Sequence, residues 1–508
     1  MKQPTNKSAV ASSILLLTSF TLAAASAQSN SEAVGIFDGH GDVGTVLHVG
    51  SAHFDQTAKA YSVTGSGENM WFGVDDFHFA WKKMSGDVAI SANIAFIGEK
   101  GNKHRKAVLM IRQSLDGPSP SVDVARHGDG LTSLQFRDAA EANTREVQTN
   151  VVAPQRVRLE KRGDSFYAFV QGKDGQLHPA GASTKVALGS TFYVGIGVSA
   201  HDKDDVQTAI FSDVKVEELS SGDKAKAVFY STLETVPIAS GDRRVAYVAQ
   251  THFEAPNWAR DGSYFLFNQG GGIYRLAVNG GEPARIDTGT QAHCNNDHGI
   301  SPDAKLIAVS DSSKTGNSMV YTLPIAGGTP QQVTTNAPSY WHGWSPDGST
   351  LAFTGQRGDN FDIYTIPVNG GVEKRLTTAT GLDDGPEYSP DGVWIYFNSE
   401  RTGHMQIWRM HADGSSQEQF TSDEANDWFP HISPDGKWMV FLSYAKDVTG
   451  HPPDKDVELN LMSMSDKSAH VLAKLFGGQG TINVPSWSPD SAKVAFVSYE
   501  YLPDGPRD

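Results

Sequence analysis

The sequence predicts an all-β chain, a β-sandwich followed by a six-bladed β-propeller. Three observations carry this: a turn motif recurs six times in the C-terminal half, an apolar run of strand length follows each copy, and no stretch sustains a helical period. The copies are WARDG (258–262), ISPDA (300–304), WSPDG (344–348), YSPDG (388–392), ISPDG (432–436) and WSPDS (487–491). Counted at the Ser-equivalent positions 259, 301, 345, 389, 433 and 488, they are 42, 44, 44, 44 and 55 residues apart. Pro presets φ and Gly takes a positive φ, so each copy is a turn. First strands follow as YFLFN, LIAVS, TLAFTG, WIYFNS, WMVFLS and KVAFVS. Second strands such as GIYRLAV and DIYTIPV come next, then a Gly-rich turn and a short edge strand such as EPARI. A unit of this length with four short strands is a propeller blade.

Six turns imply six blades over 228–508. The sixth ends early, and the preceding segment STLETVPIAS…RRVAYVAQ (231–250) is expected to supply its outer strands and close the ring. The long last spacing holds KDVTGHPPDKDVE (446–458), expected as a surface loop. Residues 28–219 carry no such repeat. Their strand-like runs, among them DVAISANIAFIG, KAVLMIRQSL and TFYVGIGVSAH, are separated by turn signals and predict one β-sandwich, joined to the propeller by a linker at 220–227. The aromatics of MWFG (70–73) and FHFAWKK are expected mostly in its core.

Residues 1–27 read as a cleaved export signal: Lys2 and Lys7, an apolar run around Ile14–Leu22, then Ala25-Ser26-Ala27. No later run is long enough to span a bilayer. The expectation is a periplasmic or secreted protein that does not span the membrane. The net charge of −16 grows by two negative units once the two leader lysines are lost, which disfavours nucleic acid and anionic membranes as partners. A single Cys excludes an intramolecular disulfide, so packed cores must supply the stability.

The repeats of 258–500 resemble the PD40 repeats of TolB-like six-bladed propellers. DDFHFAWKKMSGDVAI, KAVLMIRQSLDGPSPSVDVARHGDG and YVGIGVSAHDKDDVQTAIFSDVKV resemble the DUF1349-type concanavalin-like sandwiches. TolB, a periplasmic partner of the Tol–Pal envelope system, carries an α/β domain where this chain has the predicted sandwich. Sandwiches of that type joined to propellers look more like glycan-processing proteins. Oligogalacturonate lyases, more distantly similar, are propellers with a divalent metal held on His residues plus a Gln.

In a propeller the first strand of each blade lines the central channel, and here the segments entering those strands do not repeat. They read HFEAPNW, CNNDHGI, SYWHGW, DDGPEY, NDWFPHI and QGTINVPSW. A fold built of repeats should repeat its structural residues, so divergence at one geometric place points to a composite site. The candidate acids, bases or nucleophiles are His252, Glu254, Asp384 and Glu387. Ligand-binding candidates are Asn295, Asn296, Asp297, Tyr340, Trp341, Asp383, Asp427, Trp428 and Asn483. His298 and His342 share one offset from the turn and His431 lies one residue closer; with Gln479 they are candidate ligands for Mn, Zn or Ca. Trp258, Trp344 and Trp487, directly before the turns, read as blade packing, and Cys294 as a small buried residue. Arg357 and Arg401 are expected at a blade rim in salt bridges.

Three functions compete. One is a carbohydrate-active lyase or glycosidase with its site in the funnel, taking a glycan or small polar ligand. The second is a non-catalytic TolB-like scaffold binding a protein or peptide, with envelope proteins as partners. The third is a pure glycan-binding protein.

Overall fold

The computed structural model describes Met1 and residues 32–220 and 227–503. The expected export signal and most of the expected linker lie outside the described residues. Within them every regular element is a β-strand, and no helix is long and apolar enough to cross a membrane.

The N-terminal half forms two antiparallel layers. One is a seven-stranded sheet with Leu177–Lys185 and Ser51–Asp55 at its edges. The other begins at Gly39–Val43 and reaches Arg145–Gln148 through five strands, including Lys106–Arg112 and Ser121–His127. They share one apolar core, with Val88, Ile90 and Leu159 from the first layer and Leu109, Val124 and Ile196 from the second. Phe77, Phe79, Trp81 and Met70 pack in a second cluster on the far side of the second layer.

Five four-stranded sheets follow, each an antiparallel meander. Their inner strands are Phe253–Trp258, Cys294–Ile300, Ser339–Trp344, Asp383–Tyr388 and Asn426–Ile432. These are five blades rather than the expected six. The sixth turn leads into Lys493–Pro503, but only the isolated bridge Trp487↔Val494 stands where an inner strand was expected. The entering segment still meets that strand at separate points, with the Val497 N–H donating to the Thr481 carbonyl at 3.1 Å and the Ala495 N–H to the Ser486 carbonyl at 2.9 Å, but forms no continuous ladder. As expected of the closing segment, Lys493–Pro503 pairs with Ala227–Pro237, which pairs with Arg243–Ala249. Arg243–Ala249 then joins Arg145–Gln148 in parallel through Val147↔Arg243 and Gln148↔Arg244, so one ten-stranded sheet runs from the N-terminal half into the propeller.

The repeated turn has a simple chemistry. The Ser hydroxyl donates to the Asp two residues on, at 2.7 Å for Ser301–Asp303 and 2.6 Å for Ser345–Asp347. The same oxygen accepts the N–H five residues on, from Leu306 at 3.0 Å and Thr350 at 3.0 Å. Bonds from Ser345 and Ser349 hold the Asp347 carboxyl down to about 2. The fifth residue adopts a positive φ: +70° at Gly348 and +72° at Gly392. Ala304 and Ser491 occupy this left-handed region without being Gly, at +58° and +60°.

That difference gives a stability test. Ala304 is exposed, so Ala304→Gly should relieve backbone strain and stabilise by roughly 0.5–1 kcal/mol, within the usual cost of the left-handed region. Ser491→Gly should not, because the Ser491 hydroxyl accepts the Asp435 N–H at 3.0 Å and ties two turns together. Thermal melts of both variants check this; equal gains would be the wrong result.

Candidate functional site

Each inner strand is bulged at the same level. The register shifts fall between Glu254/Asn257, Cys294/His298, Trp341/Gly343, Asp384/Glu387 and Trp428/His431. At three of them a residue takes a positive φ: Ala255, Gly385 and Phe429. A bulge re-aims side chains, and here it turns the diversified entry residues toward a common space. That space is a cavity of about 630 Å³, lined by His252, Glu254, Asn295, Asn296, Asp297, Tyr340, His342, Thr354, Phe361, Leu382, Asp384, Phe429, His451, Pro453, Gln479 and Asn483.

Strand alternation decides which candidates reach it. Tyr340 and His342 face the cavity while Trp341, between them, turns into the blade core. Trp341 lies so close over Gly299 that a Cβ there would sit 2.1 Å from its ring. Asp384 faces the cavity, whereas Asp383 forms a two-pronged pair with Arg401 at 2.9 and 2.8 Å. Asp427 accepts from Ser443 at 2.6 Å, and Trp428 is buried in the fifth-blade core. Neither Trp341 nor Trp428 is therefore placed to stack on a sugar. Glu387 does not line the cavity either: its carboxylate bonds the His431 ring and accepts the Ile432 N–H at 3.2 Å, tying the fourth blade to the fifth. Arg357 pairs with Glu373, so both rim arginines are salt-bridged.

The expected metal-ligand set is not assembled. His342 and Gln479 line the cavity. His431 is held between Glu387 and the Ile482 carbonyl. His298 is fully buried, bonds the Asn296 carbonyl at 3.1 Å and is pushed down to about 4 by burial. Among the described residues no three His, Cys, Asp or Glu side chains are grouped to hold a metal ion. Cys294 is buried, and burial drives its thiol upward, consistent with an inert core residue.

His451 was not foreseen. It belongs to the insertion at 446–458, which is mostly exposed as expected of a surface segment, but His451 itself turns toward the cavity. The second half of the insertion starts the strand Pro453–Ser463, and the Tyr444 hydroxyl donates to the Pro452 carbonyl at 3.1 Å. His451 packs edge-on against Trp428 at 4.4 Å and reaches Asp384 at 3.7 Å. The aromatic walls are Tyr340, Phe361 and Phe429 rather than the two Trp. The unusual 55-residue spacing was the one signal for His451. Phe361 and Thr354 lie outside the entry segments and carried none.

The carboxyls of the cavity are set apart electrically. Burial pushes Glu254 up to about 7, opposed by a hydrogen bond from Asn296 at 3.3 Å and aided by Asp297. Burial likewise raises Asp297 to about 6, with His342 opposing. Burial also works against ionising Asp384, but His342 at 3.3 Å, His451 and the Thr354 hydroxyl at 2.8 Å outweigh it and hold that carboxyl well below the usual range. His342 is opposed by burial yet raised overall by Asp297 and Asp384. Near neutral pH the cavity therefore brings together a carboxyl close to its titration point and one held in the ionised form.

The fold and its cavity define a β-propeller with a polar central site. Residues 335–499 match the TolB beta propeller domain model (PD40). Over 270 residues the chain is 52% identical to an uncharacterized protein of Agrobacterium fabrum, spanning 53% of this chain and 92% of that one. The chain belongs to the TolB-like PD40 β-propeller family. The solved structure of a candidate TolB from Agrobacterium tumefaciens is 52% identical, with a TM-score of 0.53, over 54% of this chain and 99% of that one. TolB from Acinetobacter baumannii is 18% identical, with a TM-score of 0.37, over 50% of this chain and 67% of that one. The two Agrobacterium relatives are nearly used up by the shared part, so the other half of this chain is an addition relative to them.

A carboxyl raised by burial binds its proton more tightly folded than unfolded. The stability it contributes is full below its ordinary value of 4.5 and is lost as pH rises through about 7. Asp297 works in the same direction. Wild-type protein should therefore melt lower at pH 7.5 than at pH 5. Glu254→Gln should remove up to about 3 kcal/mol of that loss. Melting curves that keep the full pH slope in the variant would contradict the assignment.

Proposed function

We propose that the cavity binds a carbohydrate and processes it by acid–base chemistry, as a glycan lyase or hydrolase. One observation carries this reading: Glu254, pushed up to about 7 by burial, and Asp384, kept well below the usual carboxylate range by His342, line the same cavity. Titratable groups whose surroundings push them apart are the pattern of an acid and a base. In the proposed hydrolytic step the glycosidic C–O bond breaks as Glu254 gives its proton to the departing oxygen, while a water oxygen bonds to the anomeric carbon and passes its proton to Asp384. His342 and Thr354 orient Asp384, and the amides of Asn295, Asn296 and Asn483 meet sugar hydroxyls. Tyr340, Phe361 and Phe429 supply apolar faces for the ring. A non-catalytic scaffold would gain nothing from this split between carboxyls.

The finer architecture belongs to the same proposal. The N-terminal layers are a concanavalin-like accessory sandwich of the DUF1349 type. The strands closing the ring with Lys493–Pro503 act as a sixth, incomplete blade. The protein works in the periplasm or is secreted after loss of residues 1–27.

Activity is to be measured as new reducing ends or unsaturated products from neutral glycans. The rate should fall above pH 7 as Glu254 loses its proton. Glu254→Gln should lower kcat by roughly 10²–10⁴-fold and abolish that decline. A variant retaining more than half the wild-type rate would refute Glu254 as the acid. Glycan binding without turnover in wild-type protein would return the site to a binding role.

A further inference from the structure

The three cavity carboxyls are not equally served. Asp384 is surrounded: the imidazoles of His342 and His451 lie at 3.3 and 3.7 Å, the Thr354 hydroxyl at 2.8 Å and the Gly385 N–H at 2.8 Å. Glu254 and Asp297 are not. Glu254 receives one amide bond, from Asn296 at 3.3 Å. Asp297 receives one, from Asn295 at 2.8 Å. Neither takes part in an ion pair within 4 Å among the described residues. The nearest cationic group to Asp297 is His342, which it shares with Asp384. None of the described residues lining the cavity is Lys or Arg.

Asp297 is 4% exposed, and a carboxylate this buried without a counter-ion is costly. The two carboxyls lie on one wall. Asn296 joins Glu254 of the first blade to the strand of the second that carries Asp297. The same cavity is lined by the rings of Tyr340, Phe361 and Phe429 beside Asp384, His342 and His451, and an aromatic face suits an organic cation. A uronate would meet unpaired carboxyls here, and a neutral sugar would leave them unpaired.

We propose that the ligand carries a primary ammonium group, as in a glycan of amino sugars with free amines, seated against the Asp297 carboxylate, with the Glu254 carboxyl beside it on the same wall. This rests on the carbohydrate reading above and names the class of sugar. The ammonium supplies the missing counter-charge to the wall formed by the first two blades, while the ring lies against Tyr340 and Phe429. Asp384, already partnered, does not hold it.

The test is titration calorimetry on the full chain at pH 7.5 with four probes: the β-1,4 disaccharide of glucosamine, its N,N′-diacetylated form, cellobiose and lysine amide. The free-amine disaccharide should bind at least tenfold more tightly than the acetylated form and cellobiose. Asp297→Asn, checked for an unchanged melting profile, should bring the three sugars within about twofold of one another, and Glu254→Gln should do so in part. Equal affinities for the three sugars in wild-type protein would overturn the ammonium while leaving the carbohydrate reading intact. No sugar binding would overturn both. Tighter binding of lysine amide than of any sugar would make the ligand a peptide amine and overturn the amino-sugar assignment. A preference that survives both substitutions would remove the ammonium from this wall.

Discussion

Eleven consecutive backbone pairs join Ala227–Pro237 to Lys493–Pro503, and the cavity depends on them. A propeller whose ends were free would have nothing to hold its blades in a ring, and residues more than two hundred positions apart could not share a wall. The seam is reinforced by polar bonds: the Ser498 hydroxyl donates to the buried Glu234 carboxylate at 2.6 Å, and Arg243 lies at 3.5 Å from the same group. Arg243 also donates to the Ser183 carbonyl in the N-terminal half, so one guanidinium serves both closure and the contact between halves.

The same seam explains why the two halves do not behave as beads on a string. Through Val147↔Arg243 and Gln148↔Arg244 the closing strands extend the sheet of the N-terminal half. Further contacts cross between the halves, including the Asn150 amide donating to the Ala246 carbonyl at 3.4 Å and Lys185 pairing with Asp456 at 2.6 Å. Asp456 follows shortly after His451 in the insertion that walls the cavity. The half that the Agrobacterium relatives lack is thus in contact with the segment that shapes one side of the site.

Within the ring, strand alternation sorts neighbours in sequence into opposite roles. Asp383 is neutralised by Arg401 at a blade rim while Asp384 faces the cavity. Trp341 fills the space left by Gly299 while Tyr340 and His342 look inward. The Glu387–His431 pair has the chemistry of a catalytic dyad and serves as a tie between blades. What separates a cavity carboxyl from a structural one here is which side of the strand it stands on after the bulge.

The blades were legible because a local rule repeats. Ser, Pro and Asp satisfy one another within five residues, so each SPD copy specifies its turn wherever it lies. The level of the site was legible for the converse reason: the entry segments diverge where the turns do not. Glu254, Asn296, Asp297, His342 and Asp384 were found that way and do meet. The closure by the segment around 231–250 was legible, but not that the last repeat keeps only an isolated bridge at its inner position and that its closing strands merge with the sheet of the N-terminal half. The sequence could not reveal that Trp341, Trp428, His298 and His431 turn away, since a bulge shifts alternation by an amount no local signal records. Only the tertiary structure brought His451 from the insertion to within 3.7 Å of Asp384. The upward shift of the Glu254 carboxyl is also a tertiary property, because burial in the folded chain and Asp297 of the next blade raise it.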